Sequence, residues 1–210
     1  LNGDGVINDL DKTNIGSPLP KFTFGWTNTF RYKNFDLSIF INGSYGNKVF
    51  NYLDMKLSAM NNVWVNTSNS VKGHANLAPI NPDKVYDNGG RWYDDVSNVQ
   101  VTNPNASIPR PTRNDPNDND AISDRYVEDG SYIRLKNITL GYTFPKKMVE
   151  KVGLQSLRLS VNVQNLLTIT GYDGYDPEIG ASTASENVYG LDFGRYPSPT
   201  VYSFNLNVSF

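Results

Sequence analysis

The sequence lacks the residues on which several common kinds of protein chemistry depend. None of its 210 residues is a cysteine, which excludes disulfide frameworks, thiolate zinc sites and cysteine nucleophiles. There is one histidine, His74, so most metalloenzyme sites and catalytic triads are disfavoured. Charged residues make up only 19% and the net charge is −2, which provides no basic surface for nucleic acid. No run reaches 18 apolar residues, so no transmembrane helix is predicted.

Asparagine and aromatic residues, in contrast, are abundant. The chain has 27 asparagines and is 12% aromatic, which indicates long polar loops and strands with an aromatic face. It begins at Leu1 with neither an initiating methionine nor a signal peptide, and this favours a fragment or a processed product.

Five stretches alternate apolar and polar residues with the period of a β-strand. Phe22, Trp26 and Phe30 share one face of the first stretch, for example, while threonines occupy the other face. Only Lys33 and Asn34 separate the first two stretches, which predicts a tight hairpin. The predicted strands are residues 21–32, 35–46, 131–144, 157–167 and 201–210.

The third predicted strand changes parity halfway along. Ile133 and Leu135 lie on one set of alternate positions, whereas Ile138 and Leu140 lie on the other. A β-bulge near Lys136–Asn137 would return all four side chains to one face, because a bulge inserts one extra residue into a strand.

The lengths of the strands and of their connections favour a transmembrane barrel. The strands exceed the five or six residues usual in soluble domains and match the roughly 9–11 that cross a bilayer at a tilt. Short turns at 33–34 and 145–156 alternate with long loops, as in outer-membrane barrels. We therefore predict an all-β antiparallel barrel segment of about five strands, with extracellular loops at 1–20, 47–130 and 170–198, hairpins at 21–46 and 131–169, and a final strand at 199–210. Apolar spacing at the start of the 47–130 loop predicts one short amphipathic helix there.

Four long stretches, residues 2–47, 124–145, 157–178 and 193–210, resemble the late-barrel part of SusC/RagA-like TonB-dependent transporters. The resemblance implies the last five or so strands of a 22-stranded barrel in the bacterial outer membrane. It further implies a plug and TonB-linked energy supply through a part of the protein outside this chain, and a SusD-like surface lipoprotein as a lid. The implied function is import of glycans or peptides, with no enzymatic activity and no transport by this segment alone.

The first residues contain a possible calcium loop. In NGDGVINDLD, oxygen atoms of Asn2, Asp4, Asn8 and Asp11 are spaced as in D-x-[DN]-x-[DN]-G loops, and Ca²⁺ prefers such oxygen ligands. The first ligand of that pattern is missing and its last position holds Asp in place of Glu. An Asx- and Gly-rich turn between strands is the alternative. No other cofactor is expected.

The outer loops supply the candidate substrate contacts. GYDGYDPE places Tyr172, Asp173, Tyr175 and Asp176 together, and aromatic rings beside carboxylates are suited to sugars. A loop folded on itself, or on the lid protein, is the alternative. Trp64 and Trp92 of the long loop are further candidates for contact with ligand or lid, with packing inside the loop as the alternative.

Two further features concern the barrel itself. Strand parity turns Arg31, Asp36 and Arg158 toward the lumen, where they either tune its interior or form ion pairs in the wall. The chain ends on Phe210 after alternating apolar residues, which resembles the signal for barrel insertion; an ordinary edge strand is the alternative.

A secreted, calcium-dependent, carbohydrate-binding β-sandwich is the competing hypothesis for the whole chain.

Overall fold

Ten β-strands in three sheets dominate the described part of the chain. The computed structural model describes residues 8–59, 67–84, 96–106, 108–111, 121–179 and 188–210. The chain divides into two compact units, Leu1–Asn51 with Val127–Phe210, and Tyr52–Tyr126. In chain order the strands are β1 (Phe22–Tyr32), β2 (Phe35–Tyr45), β3 (Lys48–Asn51), β4 (Leu77–Pro79), β5 (Val99–Val101), β6 (Val127–Asp129), β7 (Tyr132–Thr143), β8 (Ser156–Thr170), β9 (Leu191–Asp192) and β10 (Val201–Ser209).

The first unit is built on a five-stranded sheet with the order β1-β2-β7-β8-β10. All neighbours in this sheet are antiparallel, and the five strands lie where the alternation predicts them. Lys33 and Asn34 form the expected tight turn between β1 and β2, and Lys33 adopts a φ of 53°. This left-handed conformation fits the primed turns that match the twist of a hairpin.

The predicted bulge is present in β7. Phe40 of β2 pairs with Asn137 and the next residue, Ile41, pairs with Leu135, so that Lys136 has no partner across this pair of strands. The extra residue reverses the parity of β7, as expected for a bulge. Ile133 and Leu135 therefore join the apolar side chains of the second half of the strand.

The sheet has one apolar and one polar face. The large side chains of the apolar face remain exposed, with Trp26 at 52% and Phe204 at 75%. A soluble sandwich would cover this face with a second sheet, and the described residues provide no such sheet. Across the strands the apolar face includes Phe22, Trp26, Phe30, Leu37, Ile39, Leu140, Leu159, Val161, Tyr202, Phe204 and Leu206.

Two short elements lie within the predicted connections. β3 lies between β6 and β9 in a three-stranded sheet and occupies residues at which we expected the loop helix to begin. The turn between β7 and β8 contains the helix α2 (Lys146–Val149) and a 3₁₀ turn, Glu150–Val152. Gly153 ends this helical segment with a φ of 80°, as is common after helices.

The second unit contains the predicted short helix and a small strand pair. The helix α1 (Tyr52–Ser58) buries Met55 and Ser58, and Ser58 Oγ lies 3.3 Å from the hydroxyl of Tyr126, which is 1% exposed. β4 and β5 pair antiparallel. Across the described residues, none of the helices has the length and apolar character needed to cross a membrane.

Candidate functional site

The polar face of the five-stranded sheet carries an ion pair that spans three strands. Asp36 on β2 accepts a hydrogen bond of 2.6 Å from Arg158 Nη2 on β8. Gly141 of β7 lies between them, because its register partners are Asp36 on one side and Ser160 on the other. A β-carbon at position 141 would lie 2.6 Å from Asp36 Oδ1. The pair therefore depends on a residue without a side chain in the middle strand.

A neutral band of amides and hydroxyls occupies the middle of the polar face. Asn162 Nδ2 donates to Asn137 Oδ1 at 2.6 Å and to Thr139 Oγ1 at 2.8 Å. Together with Gln164 and Asn205 these side chains line a concave region of about 560 Å³. Amide and hydroxyl side chains both donate and accept hydrogen bonds, and Lys136 lines the same region, so the region suits water or a polar ligand.

A cluster of four charged side chains joins the outer loop to the sheet. We call Arg134, Lys136, Asp176 and Glu178 the loop clamp. Arg134 is 2% exposed; it donates to Asp176 Oδ1, to Glu178 Oε2 at 2.7 Å and to Thr168 Oγ1 at 2.9 Å. Lys136 Nζ reaches the same Glu178 oxygen at 2.9 Å. A buried guanidinium satisfied in this way fixes its partners in both position and orientation.

Asp176 also organises the backbone of the outer loops. Its carboxylate accepts the N–H of Glu178 and the N–H of Ser198, each at 3.0 Å. Burial raises the pKa of Asp176, but the hydrogen bonds from Arg134, Ser198 and Glu178 outweigh burial and lower this pKa to about 2. The carboxylate is thus ionised at neutral pH and holds residues 171–179 and the segment before β10 on the sheet.

Tyr172 makes a second link between the same two segments. Its hydroxyl donates to Asp192 Oδ2 at 2.6 Å, and Asp192 Oδ1 accepts the N–H of Gly194 at 2.8 Å. The N–H of Asp173 donates to Glu128 Oε2 at 2.8 Å. The loop after β8 is therefore held at four of its residues, Tyr172, Asp173, Asp176 and Glu178, by groups from other segments.

The predicted loop contacts divide into two kinds. Tyr172 and Asp176 are buried at 5% and 4% exposure, and their side chains contact Asp192 and Arg134 of this chain. The side chain of Tyr175 is exposed, as is Asp173, and these two remain available to a ligand or lid. Trp64 and Trp92 lie outside the described residues.

The calcium ligands and the terminal aromatic stay predictions. Asn2 and Asp4 lie outside the described residues. Asn8 accepts the N–H of Leu10 at 2.8 Å, and Asp11 accepts the N–H of Asn8 at 3.0 Å, which caps a 3₁₀ turn and equally suits the Asx-turn alternative. Phe210 follows the last residue of β10 and is exposed.

Sequence reasoning missed Arg134, Lys136 and Asp192. Arg134 lies 42 residues before Asp176, and no periodic pattern connects residues so far apart. The available signal was an arginine inside an otherwise alternating strand, since a charge in a strand usually has a specific partner.

The whole chain aligns with one part of much larger TonB-dependent receptors. It is 37% identical over 214 aligned positions to TonB-dependent receptor P3 of Formosa agariphila, with 100% of this chain and 18% of the relative covered. TonB-dependent receptor SusC of Bacteroides thetaiotaomicron is 27% identical, with 100% of this chain and 17% of SusC covered. The chain thus spans under a fifth of the length of these relatives.

Solved structures agree on the fold. The RagAB peptide importer in its closed-closed state matches with a TM-score of 0.65 and 18% identity, covering 94% of this chain and 18% of that one. The RagAB peptide transporter gives a TM-score of 0.65 at 20% identity, with 93% and 18% covered. No protein-family model matches the chain. The five-stranded sheet is therefore a segment of a β-barrel wall of the RagA kind.

Proposed function

Because the chain belongs to the SusC/RagA-like TonB-dependent receptors, as a segment that spans 18% of the length of one such relative, we propose that it forms part of the wall of an outer-membrane nutrient importer. In this function the apolar face of the five-stranded sheet meets lipid and the polar face lines the lumen. The long loops face outward and contribute to the substrate cavity. The segment carries out no covalent chemistry.

The observation that carries the proposal is the continuous separation of the two faces across five strands. Trp26, Ile41 and Leu135 stand side by side on the apolar face, whereas Thr27 and Phe40 stand on the other face. An exposed apolar surface of this kind is favourable in the hydrocarbon of a bilayer. Strands cross a bilayer only as part of a closed barrel, because a barrel satisfies all of their backbone hydrogen bonds. Phe40 is an aromatic side chain on the polar face, where its ring packs beside Gly25.

The proposed partners follow from the relatives. The remaining strands and plug complete the barrel, TonB supplies energy through that remaining part, and a SusD-like lipoprotein closes the outer cavity. Glycans or peptides are the proposed cargo, supported by the kinship to SusC and by the likeness to RagAB, which is described as a peptide importer. Tyr175 and Asp173, whose side chains are exposed, are the proposed contacts for cargo or lipoprotein.

Quenching of tryptophan fluorescence by brominated lipid tests the assignment of the two faces. In the full-length receptor in bilayers, we expect Trp26 to be quenched by lipid with brominated acyl chains. Moving the tryptophan by one position, with Trp26→Phe and Thr27→Trp combined, is the matched control and should abolish this quenching. Equal quenching at both positions, or none at position 26, would contradict the proposal.

Uptake by cells tests the transport function. Labelled oligosaccharides and labelled peptides are offered to cells with and without the receptor, and to cells without TonB. Accumulation of one cargo class that requires both proteins is the expected result. Accumulation that persists without TonB would refute TonB-dependent import.

A further inference from the structure

The connection between β7 and β8 carries a helical turn with an exposed apolar side. In the segment Lys146–Val152, only Val149 is buried, at 3%, whereas Met148 is 57% and Val152 is 71% exposed. These two side chains lie one turn apart and form a small apolar patch. In a bilayer these two side chains could contact the acyl chains that the exposed apolar face of the sheet would also meet.

The direction of the patch follows from Lys146. Lys146 lines a concave surface together with Asp36 and Arg158 of the polar face, and Lys33 and Phe35 of the hairpin turn line it as well; Lys146 Nζ lies 3.6 Å from Glu150 Oε1. With about 100° per residue in a helix, Met148 stands roughly 200° around the turn from Lys146. Met148 therefore lies on the side of the turn away from Lys146, and Val152 follows it in the 3₁₀ turn.

The same end of the sheet is strongly basic. Residues 31–36 and 143–158 contain six Lys or Arg and two Asp or Glu, in a chain whose net charge is −2. Both acids are already paired, Asp36 with Arg158 and Glu150 with Lys146. Among the described residues, Lys147 and Lys151 make no ion pair with a carboxylate. This end therefore offers positive charge to an external anion.

Aromatic side chains mark the same level of the sheet. Lys33 Nζ lies 5.3 Å from the ring centroid of Tyr32, and the rings of Phe35 and Tyr142 lie 4.6 Å apart. Aromatic side chains concentrate where hydrocarbon meets headgroups. The patch and the lysines thus lie at the level at which a headgroup phosphate would be found.

We propose that this helical turn is an anchor that binds anionic phospholipid at the membrane surface. Met148 and Val152 enter the acyl boundary, while Lys147 and Lys151 meet the phosphates. The anchor rests on the proposed function, because it assumes that the apolar face meets lipid. It fixes the depth of this part of the barrel in the bilayer.

Brominated lipid tests where the patch lies. In full-length receptor with Trp26→Phe, in bilayers of phosphatidylethanolamine and brominated phosphatidylglycerol, Met148→Trp should be quenched. Lys146→Trp, on the opposite side of the turn, is the matched control and should resist quenching. If Trp26 of the unaltered receptor is quenched and Met148→Trp is not, the anchor is refuted and the proposed function stands. Failure at Trp26 itself refutes both.

The preference of the receptor for anionic lipid tests the role of the positive charges of Lys147 and Lys151. Native mass spectrometry of the receptor measures the ratio of retained phosphatidylglycerol to phosphatidylethanolamine. We expect Lys147→Gln with Lys151→Gln to lower this ratio about fivefold for each lysine removed, and Lys146→Gln to leave it unchanged. The folded band on unheated gels shows that the variants still assemble. An unchanged ratio in the double variant overturns the proposal.

Discussion

At the scale of single residues, charged side chains of the polar face form ion pairs that connect strands and loops; Arg134 and Asp176 are buried, and Asp36 and Arg158 are partly buried. The Asp36–Arg158 pair joins β2 to β8 across β7, and Arg134 joins β7 to the outer loop through Asp176. Breaking one side of a buried pair leaves the other charge uncompensated, which costs far more than the pair contributes. Substitutions at these positions should therefore act on whole loops and strands.

Asp176 should make the outer loop sensitive to acid. Its pKa is lowered from 3.8 to about 2, so ionisation favours the folded loop by on the order of 2 kcal/mol above pH 4. This contribution is complete above the unfolded pKa and is lost as the pH falls from about 4 toward 2. Protease cleavage of the loop, measured against pH, should rise in that window.

Asp176→Asn is the control for this acid sensitivity. The amide keeps the shape but has no charge to lose, so cleavage should be faster at neutral pH and should no longer increase between pH 4 and pH 2. An unaltered acid dependence in Asp176→Asn would assign the effect to another group.

Gly141→Ala should break the ion pair that spans three strands. The new methyl group would lie 2.6 Å from Asp36 Oδ1, and the pair must separate to admit it. We expect a loss of about 1 kcal/mol in urea unfolding of the reconstituted barrel, because the pair is only partly buried. Gly171→Ala is the control, since nothing lies within 4 Å of a β-carbon there, and equal stability of the two variants would contradict the prediction.

At the scale of strands and turns, elements with a periodic pattern of apolar residues can be predicted from the sequence, whereas contacts without such a pattern cannot. The five strands and the bulge at Lys136 follow from alternation alone, because each residue reports which face it occupies. The loop clamp could not be predicted, since residues 42 positions apart meet only after the loop has folded. The helical turn at Lys146–Val152 was not predicted, because it buries a single residue, Val149, and one buried residue gives no periodic pattern.

Deleting Lys136 should invert the first half of β7. Without the bulge, Ile133 and Leu135 would turn to the polar face and Arg134 to the apolar face. An arginine on the lipid-facing side costs up to about 1 kcal/mol near the end of a strand, and the loop clamp, which is held by the buried Arg134, would be lost as well. We expect little folded, heat-modifiable receptor on gels. Lys136→Ala keeps the residue count, and we expect it to assemble; equal loss in both variants would refute the role of the bulge.

At the scale of the molecule, the sheet is a wall with two open edges. Among the described residues, β1 and β10 each pair with one neighbour. Unpaired strand edges are not viable in hydrocarbon, so further strands must complete the barrel. The likeness to part of RagA and the 18% coverage of that chain agree with this requirement.

Phe210 offers a test at this scale. If the terminal aromatic acts in barrel insertion, its deletion should lower the amount of folded receptor in outer membranes several-fold without changing synthesis. Phe210→Tyr preserves an aromatic end and should retain normal levels. Unchanged outer-membrane levels after the deletion would favour the ordinary edge strand.

The hairpin turns also set the order in which the wall is expected to form. β1 and β2 are joined by two residues, whereas residues 46–131 separate β2 from β7, and closing a longer loop costs more entropy and slows pairing. Alternate amides of β2 point to β1 and to β7. In pulsed hydrogen exchange during refolding, the β2 amides that face β1 should become protected earlier than the β2 amides that face β7. The two sets of amides in one strand would then report two successive steps of folding.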